Sequence, residues 1–468
     1  MVDRQLIHPQ IFACRCAIRF ICTIISIFSI IEFKIEKKFK KEFLLIVFES
    51  CQHRRNIEMG IMKLEDFRKE VWFCGGCSMC RDTISKGIAT KHAWLGVCPV
   101  YDVLRFDHYT SRGRNAIAKY LLDEVLEYNA GLAEDVVFRC LGCKACEEIC
   151  TPTLIPGLKP LENMKIIKAM REDCWNLGLA PPKIQETCAK IMDPAIRNPF
   201  GLDKALRVDW AEKLNLPKKA ETLYFAGCAA SYQNPNTPEA VIKILREAGQ
   251  EVAYLGTEEL CCGHQLIWAG DIEDARNNAQ ELVNRIQDTG AKRVICSCAG
   301  CFNTFKNDYK ELGISIPFKV EHIAKVLLPL LNQLELKNKL QQQVTYHDPC
   351  HLGRHTNEYK SPRKIIERVG AELVEMERAG KEAWCCGAGS GGTCLINYPE
   401  LNQEIRKRRI KEAQATGAKT LVTACPMCLK NLRDAAQENG VEMEFYDLPN
   451  LVAEALGLKS EIYDSWKG

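Results

Sequence analysis

The sequence lacks an excess of either charge and lacks long apolar runs. Its formal net charge is only +3, and no basic patch interleaved with aromatic residues occurs, so we expect no nucleic-acid partner. The first apolar run, residues 20–31, has twelve residues between Arg19 and Glu32. A bilayer-spanning helix needs about twenty, and a signal peptide would need small cleavage residues, which are missing here.

Cysteine, in contrast, is abundant, with 26 residues in a chain of 468. These are too many for the disulfide framework of a small secreted protein, and their C-x-x-C grouping is typical of metal ligands. We therefore expect a reducing, cytoplasmic setting, with a partner as one route to the inner face of the cell membrane. The length and the 47% hydrophobic content predict two to four domains.

Residues 1–62 differ from the rest, because a basic run at 37–41 separates two apolar runs. Met59 and Met62 stand directly before ordinary amphipathic sequence at residue 63. We expect 1–62 to be a leader that is mis-assigned or disordered. An interfacial or membrane segment is the alternative, and N-terminal sequencing of the native protein distinguishes the two.

Residues 63–215 carry two motifs of the two-cluster ferredoxin type. The first is Cys74, Cys77 and Cys80 with Cys98-Pro99 after it, and the second is Cys140, Cys143, Cys146 and Cys150. Such proteins share ligands crosswise. We therefore assign one [4Fe-4S] cluster to Cys74, Cys77, Cys80 and Cys150, and the second to Cys98, Cys140, Cys143 and Cys146. Zinc is the alternative, but it prefers paired C-x-x-C motifs without a third cysteine.

From about residue 216 the chain contains the same five-cysteine frame twice. The first frame, in 216–342, consists of Cys228, Cys261, Cys262, Cys298 and Cys301. The second frame, in 343–468, consists of Cys350, Cys385, Cys386, Cys425 and Cys428. The first cysteine precedes the Cys-Cys-Gly doublet by 33 positions in one frame and by 35 in the other. We infer an internal duplication.

Strand and helix patterns alternate around both frames. The predicted strands are 222–226, 252–255, 293–296, 344–347, 372–375 and 420–423. The predicted helices, including two in the ferredoxin segment, are 111–122, 161–170, 238–247, 271–287, 362–369, 400–416 and 429–438. This alternation predicts α/β units with parallel sheets behind a mainly helical ferredoxin segment, an α+β and α/β chain overall. The cysteines then fall at the carboxyl ends of strands, where open α/β folds place their sites.

Five cysteines exceed the four corners of an ordinary cubane, so the fifth must bridge or stay unbound. Two zinc sites or reactive thiol pairs are the alternative. The run 387–392 matches G-x-G-x-x-G, but no clear strand leads straight into it. We expect its glycines to let backbone N–H groups approach a cluster or an anionic substrate. The isolated Cys174 and Cys188 are expected to be buried, and Cys296 and Cys394 to be spare.

The doubled frame behind a two-cluster ferredoxin segment resembles the cysteine-rich CCG subunits of heterodisulfide reductases, and the likeness covers about 63–468. The resemblance implies two noncubane [4Fe-4S] clusters, one held by each frame, besides the two cubanes. It also implies reductive cleavage of the coenzyme M–coenzyme B disulfide of methanogenesis. The ten frame cysteines would then form the catalytic site.

The same resemblance implies a partner that supplies electrons: a membrane cytochrome b, a quinone-linked subunit or a soluble flavoprotein. Protons must reach the product thiolates, and His264, His347, His351 and His355 stand close to the frame cysteines in sequence. Of these we single out His264 and His351 as candidate proton donors. A hydrogen bond from histidine to sulfide is the alternative role.

Two other functions stay open at this point, and one of them is a membrane-complex subunit that acts on the thiols of another protein. Subunits similar to this chain relay electrons for flavin-linked dehydrogenases of glycolate, lactate or glycerol 3-phosphate. The completeness of both five-cysteine frames favours chemistry at the clusters, because a pure relay needs only cubanes. The sequence does not identify the disulfide.

Overall fold

Two parallel β-sheets carry the cysteine frames, and a helical segment precedes them. The computed structural model describes residues 62–82, 96–150, 161–462 and 465–467. The predicted leader therefore lies outside the described residues, apart from Met62. No helix in the described part of the chain is long and apolar enough to cross a bilayer.

The ferredoxin segment is built from helices and turns, with one isolated bridge between Asp82 and Gly96. Its helices are α1 (Arg68–Phe73), α2 (Pro99–Leu104), α3 (Ser111–Leu122), α4 (Ala145–Glu148), α5 (Asn163–Asn176) and α6 (Pro182–Met192). A 3-10 helix, Lys204–Leu214, leads into the first sheet. Helix α3 has the predicted bounds, and α5 extends six residues beyond its predicted end.

The first repeat contains a three-stranded parallel sheet of order β1-β2-β3. Its strands and helices are β1 (Thr222–Phe225), α7 (Gly227–Gln233), α8 (Asn236–Glu247), α9 (His264–Ala269), α10 (Ile272–Asp288), β2 (Arg293–Cys296), α11 (Ala299–Asn303), β3 (Lys319–His322) and α12 (Ile323–Leu330). A π-helix, Thr304–Asp308, continues α11.

The second repeat contains a four-stranded parallel sheet of order β5-β4-β6-β7. Its strands and helices are β4 (Gln343–His347), α13 (Lys360–Arg368), β5 (Glu372–Leu373), α14 (Thr393–Asn397), α15 (Pro399–Gln414), β6 (Thr420–Thr423), α16 (Pro426–Glu438), β7 (Glu444–Asp447) and α17 (Leu448–Ala455). Both sheets are parallel with helical crossovers, which confirms the predicted fold class.

The prediction of a strand at 252–255 is wrong. Only Ala253 pairs there, in an isolated parallel bridge to Leu223, because the chain turns into a 3-10 helix at Gly256. The bridge lies at the edge of β1 in the first sheet, just as the two-residue strand β5 lies at the edge of β4 in the second. The order of the two sheets is therefore the same, which agrees with an internal duplication.

The two repeats pack directly on one another. Helix α8 of the first repeat packs against α17 of the second, and α7 packs against α16. At this contact the Asn234 side chain donates to the Pro426 carbonyl at 2.9 Å. A continuous apolar core runs through the described residues. The predicted domain boundaries near 215 and 342 fall just before β1 and β4 and stay predictions.

Candidate iron–sulfur centres and active site

The carboxyl ends of the central strands of both repeats face one cavity. The cavity has a volume of about 80 Å³, and the space free of protein atoms around it is about 730 Å³ when the adjoining open solvent is included. All ten frame cysteines line it: Cys228, Cys261, Cys262, Cys298, Cys301, Cys350, Cys385, Cys386, Cys425 and Cys428. His264 and His351 line the same cavity. Folding thus brings two frames that are separate in sequence to a single site.

In each repeat, the frame cysteines lie at starts of helices or in the turns that precede them. Cys298 and Cys425 cap the N-termini of α11 and α16, while Cys301 and Cys428 follow within the first turn of these helices. The C-x-x-C spacing therefore directs two sulfurs to one side of a helix start. Each first cysteine follows its strand by three residues, beyond the end of the sheet.

Buried side chains hold the cysteine doublets in place by donating hydrogen bonds to the backbone carbonyl groups of the doublets. Asn278 donates to the Cys261 carbonyl at 2.9 Å, and Tyr309 donates to the Cys262 carbonyl at 2.9 Å. In the second repeat, Asn431 donates to the Cys386 carbonyl at 2.7 Å. With the backbone fixed in this way, both sulfurs of a doublet keep their direction into the cavity.

The glycine after each doublet permits the turn that this arrangement requires. Gly263 has φ +77° and Gly387 has φ +97°, a region that L side chains rarely adopt. A Cβ at Gly387 would also lie 3.1 Å from Ile405. Glycine is thus required by conformation at both positions and by close packing at the second.

A buried ion pair supports the start of the first frame. Arg207 and Glu259 are fully buried and bind each other at 2.8 Å. The Glu259 carboxylate also accepts the backbone N–H groups of Ala226 and Gly227, each at 2.9 Å. Arg207 reaches Cys228 Sγ at 3.4 Å. The guanidinium therefore places positive charge beside a sulfur of the cavity.

The thiols of the cavity are in contact within each frame and across the two frames. A hydrogen bond from Cys261, followed by one from Cys301, lowers the pKa of Cys262 to about 5. Contact with Cys298 of the first frame lowers the pKa of Cys425 in the second. Thiolate is the form that binds metal, and the described cysteines form no disulfide. This soft, anionic donor set fits iron–sulfur clusters.

The two histidines of the cavity meet edge to face, with ring centroids 4.7 Å apart. His264 Nδ1 lies 2.9 Å from Thr304 Oγ1, and burial lowers the pKa of this histidine. His351 contacts Cys350 Sγ at 3.4 Å and Ser390 Oγ at 3.2 Å. Burial would lower the pKa of His351, but the Cys350 thiolate outweighs burial and raises it.

The ferredoxin segment contains two further cavities lined by cysteine. One is lined by Cys74, Cys77, Cys80 and Cys150, and the other by Cys98, Cys140, Cys143 and Cys146. These are the two crosswise sets that the motifs predict. Arg112 donates its backbone N–H to Cys80 Sγ at 3.4 Å, and Arg114 lines the second cavity. Both arginines therefore lie close to cysteine sulfurs.

The second ferredoxin cavity adjoins the second frame. Cys143 and Cys385 are in hydrogen-bond contact, which lowers the pKa of Cys143 to about 6. The Ser390 backbone N–H donates to the Leu141 carbonyl at 2.8 Å, and the His355 ring nitrogen Nε2 lies 2.9 Å from the Gly142 carbonyl. The loop around Cys143 is thus docked onto the second repeat.

Arg354 lies at this junction and is 4% exposed. Its Nε donates to the Cys143 carbonyl at 2.6 Å, and its Nη1 donates to the Ala383 carbonyl at 2.6 Å. Burial lowers the pKa of Arg354, but the thiolates of Cys143, Cys350 and Cys385 outweigh it and raise the pKa. One buried cation therefore joins a ferredoxin cavity to the central cavity.

Sequence reasoning missed Arg354, Ser390 and Asn278, because their partners are distant in the chain. The glycine run was only partly understood: Gly389, Gly391 and Gly392 line the central cavity, but the Ser390 N–H donates to the ferredoxin loop. The isolated Cys174, Cys188, Cys296 and Cys394 are all buried. They line none of the three cysteine cavities.

Comparison with known proteins agrees with this organisation. A family model described as a 4Fe-4S dicluster domain matches residues 70–154. A second model, described as a cysteine-rich domain, matches twice, at 222–306 and 344–433. The fold and these matches define an iron–sulfur oxidoreductase with a dicluster segment followed by two cysteine-rich repeats.

The chain is 33% identical over 375 residues to the D subunit of the dihydromethanophenazine:CoB–CoM heterodisulfide reductase of Methanosarcina mazei, covering 78% of this chain and 89% of that protein. The chain belongs to the family of heterodisulfide reductase D subunits. It is also 28% identical to an EtfAB:quinone oxidoreductase of Syntrophomonas wolfei, over 72% of this chain and 48% of that protein. The B subunit of a fumarate reductase (CoM/CoB) of Methanothermobacter marburgensis is 29% identical over 69% of this chain and 63% of that protein.

Proposed function

We propose that this protein is the catalytic subunit of a heterodisulfide reductase-like complex, which reduces a disulfide to two thiols. The observation that carries the proposal is the shared cavity, because both complete five-cysteine frames line it. A disulfide has two sulfur atoms, and two facing metal centres can engage both. An electron relay has no need for such a facing pair.

We propose two cubane [4Fe-4S] clusters in the ferredoxin segment and two noncubane [4Fe-4S] clusters in the frames. When bound, these clusters supply one-electron chemistry and sites that capture sulfur. The ligands are the two crosswise sets of the ferredoxin segment and the ten cysteines of the central cavity. Their contacts with one another support this donor set, as do the lowered pKa values of five of them, Cys143, Cys262, Cys350, Cys386 and Cys425.

The proposed electron route starts at the cavity of Cys74, Cys77, Cys80 and Cys150. Cys77 is exposed, so a redox partner can approach this end of the protein. The route continues through the second ferredoxin cavity and reaches the second frame at the contact between Cys143 and Cys385. Of the two frames, the second is therefore the one beside the ferredoxin segment.

The proposed reaction breaks one S–S bond, takes up two electrons and two protons, and releases two thiols. The electrons come from the redox partner. His264 and His351 line the cavity and are the proposed donors of protons to the product thiolates. Replacing His351 with Gln is expected to slow turnover without loss of iron, and unchanged turnover would exclude this role.

The substrate and the partner are proposed from the relatives. The name of the Methanosarcina relative specifies the CoB–CoM heterodisulfide and dihydromethanophenazine, and it describes one subunit of an enzyme. We propose a disulfide of this type for the present chain, together with an electron-donor subunit: a membrane cytochrome b, a quinone-linked subunit or a soluble flavoprotein.

The test is an anaerobic assay of the purified holoprotein with a reduced viologen dye and the CoM–CoB disulfide beside other low-molecular-weight disulfides. Dye oxidation matched by two thiols per disulfide is the expected result. The Cys386→Ser variant should lose this activity while it keeps the iron of the ferredoxin segment. Intact iron content without consumption of any disulfide would contradict the proposal.

The second candidate is an electron-transfer subunit of a flavin-linked dehydrogenase, such as one for glycolate, lactate or glycerol 3-phosphate. The similarity to an EtfAB:quinone oxidoreductase favours it. In that case the holoprotein should accept electrons from a reduced flavoprotein and pass them to a quinone analogue in the absence of any disulfide. The Cys386→Ser variant should lose this electron transfer.

A further inference from the structure

The two frames differ at one equivalent position of their strands. Phe225 in β1 stands three residues before Cys228, and His347 in β4 stands three residues before Cys350. Phe225 packs edge to face on Phe305, with ring centroids 5.1 Å apart. The first frame therefore has an apolar ring where the second has an imidazole.

His347 is 1% exposed and faces the sulfurs of its own frame. A ring nitrogen of His347, Cys386 Sγ and Cys428 Sγ all lie within 4.8 Å of one another. The other side of the ring is occupied, because Arg409 Nε donates to His347 Nδ1 at 3.0 Å. The nitrogen that faces the two sulfurs is therefore Nε2.

The bond from Arg409 fixes where the imidazole proton sits. A guanidinium can only donate, so Nδ1 must accept and the ring proton is carried by Nε2. Nε2 is buried and has no hydrogen-bond partner among the described residues. The atoms that it faces are the sulfurs of Cys386 and Cys428. A protonated Nε2 has no lone pair for iron, so this nitrogen acts as a donor and not as a ligand.

Arg409 is itself held firmly in this role. It is fully buried, binds Glu412 at 2.7 Å and donates to the Arg378 carbonyl at 2.9 Å. Arg378 also binds Glu412. Arg409 lies 23 positions after the second cysteine of its doublet, and Arg285 holds the same position in the first repeat. Arg285 instead pairs with Glu258 and Glu281 near the surface. In the second repeat this buried chain reaches the frame sulfurs through His347, whereas in the first repeat Arg207 itself reaches Cys228 Sγ at 3.4 Å.

We propose that His347 is a positioning residue that donates an Nε2–H···S hydrogen bond to the cluster of the second frame and raises the reduction potential of that cluster. This inference rests on the proposed cluster set. A reduced cluster carries one more negative charge, so a fixed N–H dipole stabilises it more than the oxidised cluster. Phe225 offers no such dipole to the first frame.

The inferred rise in the potential of the second frame agrees with the position of the ferredoxin segment. Cys385 of the second frame contacts Cys143, whereas the first frame meets the second through Cys298 and Cys425. Raising the potential of the second frame therefore favours electron entry at the frame that the ferredoxin clusters reach first. The sequence duplication is then functionally asymmetric.

The test is an EPR-monitored potentiometric titration of the anaerobic holoprotein and of His347→Asn. Asn can still accept from Arg409 through its side-chain oxygen, but its amide is too short to reach the sulfurs. The expected result is a lower midpoint potential for the second-frame cluster, with an unchanged first-frame cluster and unchanged iron content. Phe225→Leu is the matched control, and it should leave the potential of the second-frame cluster in place.

A second measurement covers the case in which His347→Asn does not incorporate iron. His347→Phe copies the ring of the first frame and should lower the midpoint potential of the second-frame cluster. Unchanged potentials in a variant with full iron content would overturn the inference alone. A wild-type protein that holds iron only in its ferredoxin segment would overturn the inference together with the proposed cluster set.

Discussion

At the scale of single residues, buried charge accompanies the cysteines. Arg207 lies beside Cys228, Arg354 beside Cys143, and Arg409 acts on the second frame through His347. Bound clusters with thiolate ligands are anionic, and burying such charge without a counter-charge is costly. These three guanidinium groups place positive charge where the proposed clusters would need it.

Arg354→Met is predicted to loosen the junction between the ferredoxin loop and the second frame. The carbonyls of Cys143 and Ala383 would lose their donor, and a buried unsatisfied acceptor costs about 1–3 kcal/mol. The melting temperature of the holoprotein should fall, and reduction of the frame clusters after rapid mixing with a reduced dye should slow.

Arg368→Met is the control for this variant, since Arg368 lies at the end of α13 and makes only a long contact to the Leu331 carbonyl at 3.5 Å. It should leave the reduction rate unchanged. An Arg354→Met protein that reduces its frame clusters at the wild-type rate would contradict the assigned role of Arg354.

Asp173 gives a prediction for the dependence of stability on pH. Burial raises its pKa to about 7, although the Tyr128 hydroxyl donates to it at 2.8 Å. An unfolded aspartate has a pKa of about 3.9, so the folded protein binds the extra proton between about pH 4 and 7. The contribution of Asp173 to stability is therefore present at low pH and is lost as the pH rises through about 7.

Asp173→Asn, which is neutral at every pH, should remove this loss. The melting temperature of Asp173→Asn minus that of wild type is expected to increase from pH 5 to pH 8. Circular dichroism under anaerobic conditions would measure both melting temperatures. The exposed Asp66→Asn serves as the control. A constant difference between Asp173→Asn and wild type across this range would count against the raised pKa.

At the scale of elements, the loop around Cys143 joins the two parts of the molecule. Gly142 has φ +61°, and a Cβ there would lie 2.3 Å from Ser390 Oγ and 2.6 Å from the Trp268 ring. The close approach of this loop to the glycine run is thus possible only without a side chain. The same loop carries the contact between Cys143 and Cys385.

Gly142→Ala is predicted to separate the loop from the second repeat and to slow electron transfer into the frames, while both ferredoxin clusters still assemble. Freeze-quench EPR would follow the ferredoxin and frame signals separately. Gly178→Ala is a matched control, because Gly178 has a similar φ of +70° with open space around it. Equal slowing in both variants would point to backbone strain and not to the junction.

At the scale of the whole molecule, the central cavity lies between two repeats that also pack through α8 and α17. Ten of the 21 residues that line it are cysteines, and nine of these belong to the apolar core. Without iron, these thiols would surround a void, and metal binding contributes to the stability of a fold that forms the site. The two repeats should therefore depend on the metal together.

Removing iron with a chelator is predicted to raise amide hydrogen exchange in both 222–306 and 344–433. Mass spectrometry of holoprotein and chelated protein would measure this, with α6 as the internal control because it lines no cysteine cavity. Exchange that rises in one repeat alone would show that the repeats respond independently.

Much of the fold followed from local patterns. Strands β1, β2, β4 and β6 and most crossover helices lie within a few residues of their predicted bounds, since each combines an apolar run with a clear flanking turn. Strands β3 and β7 were missed, because Lys319–His322 and Glu444–Asp447 are short and mix charged with apolar residues, although three of the four residues of β7 are buried. The short helix α9 was missed because it starts directly at the glycine of a doublet.

The sequence by itself determined the family and the parallel α/β repeats, and it predicted the cysteine sets, because the spacing within each cysteine motif is a local property of the chain. Only the tertiary structure decided that both frames line one cavity, that the second frame is the one beside the ferredoxin loop, and that His347 faces its sulfurs. The contact between Ser390 and Gly142 spans 248 positions. No local pattern encodes it, because such contacts arise from how the repeats and the helical segment pack.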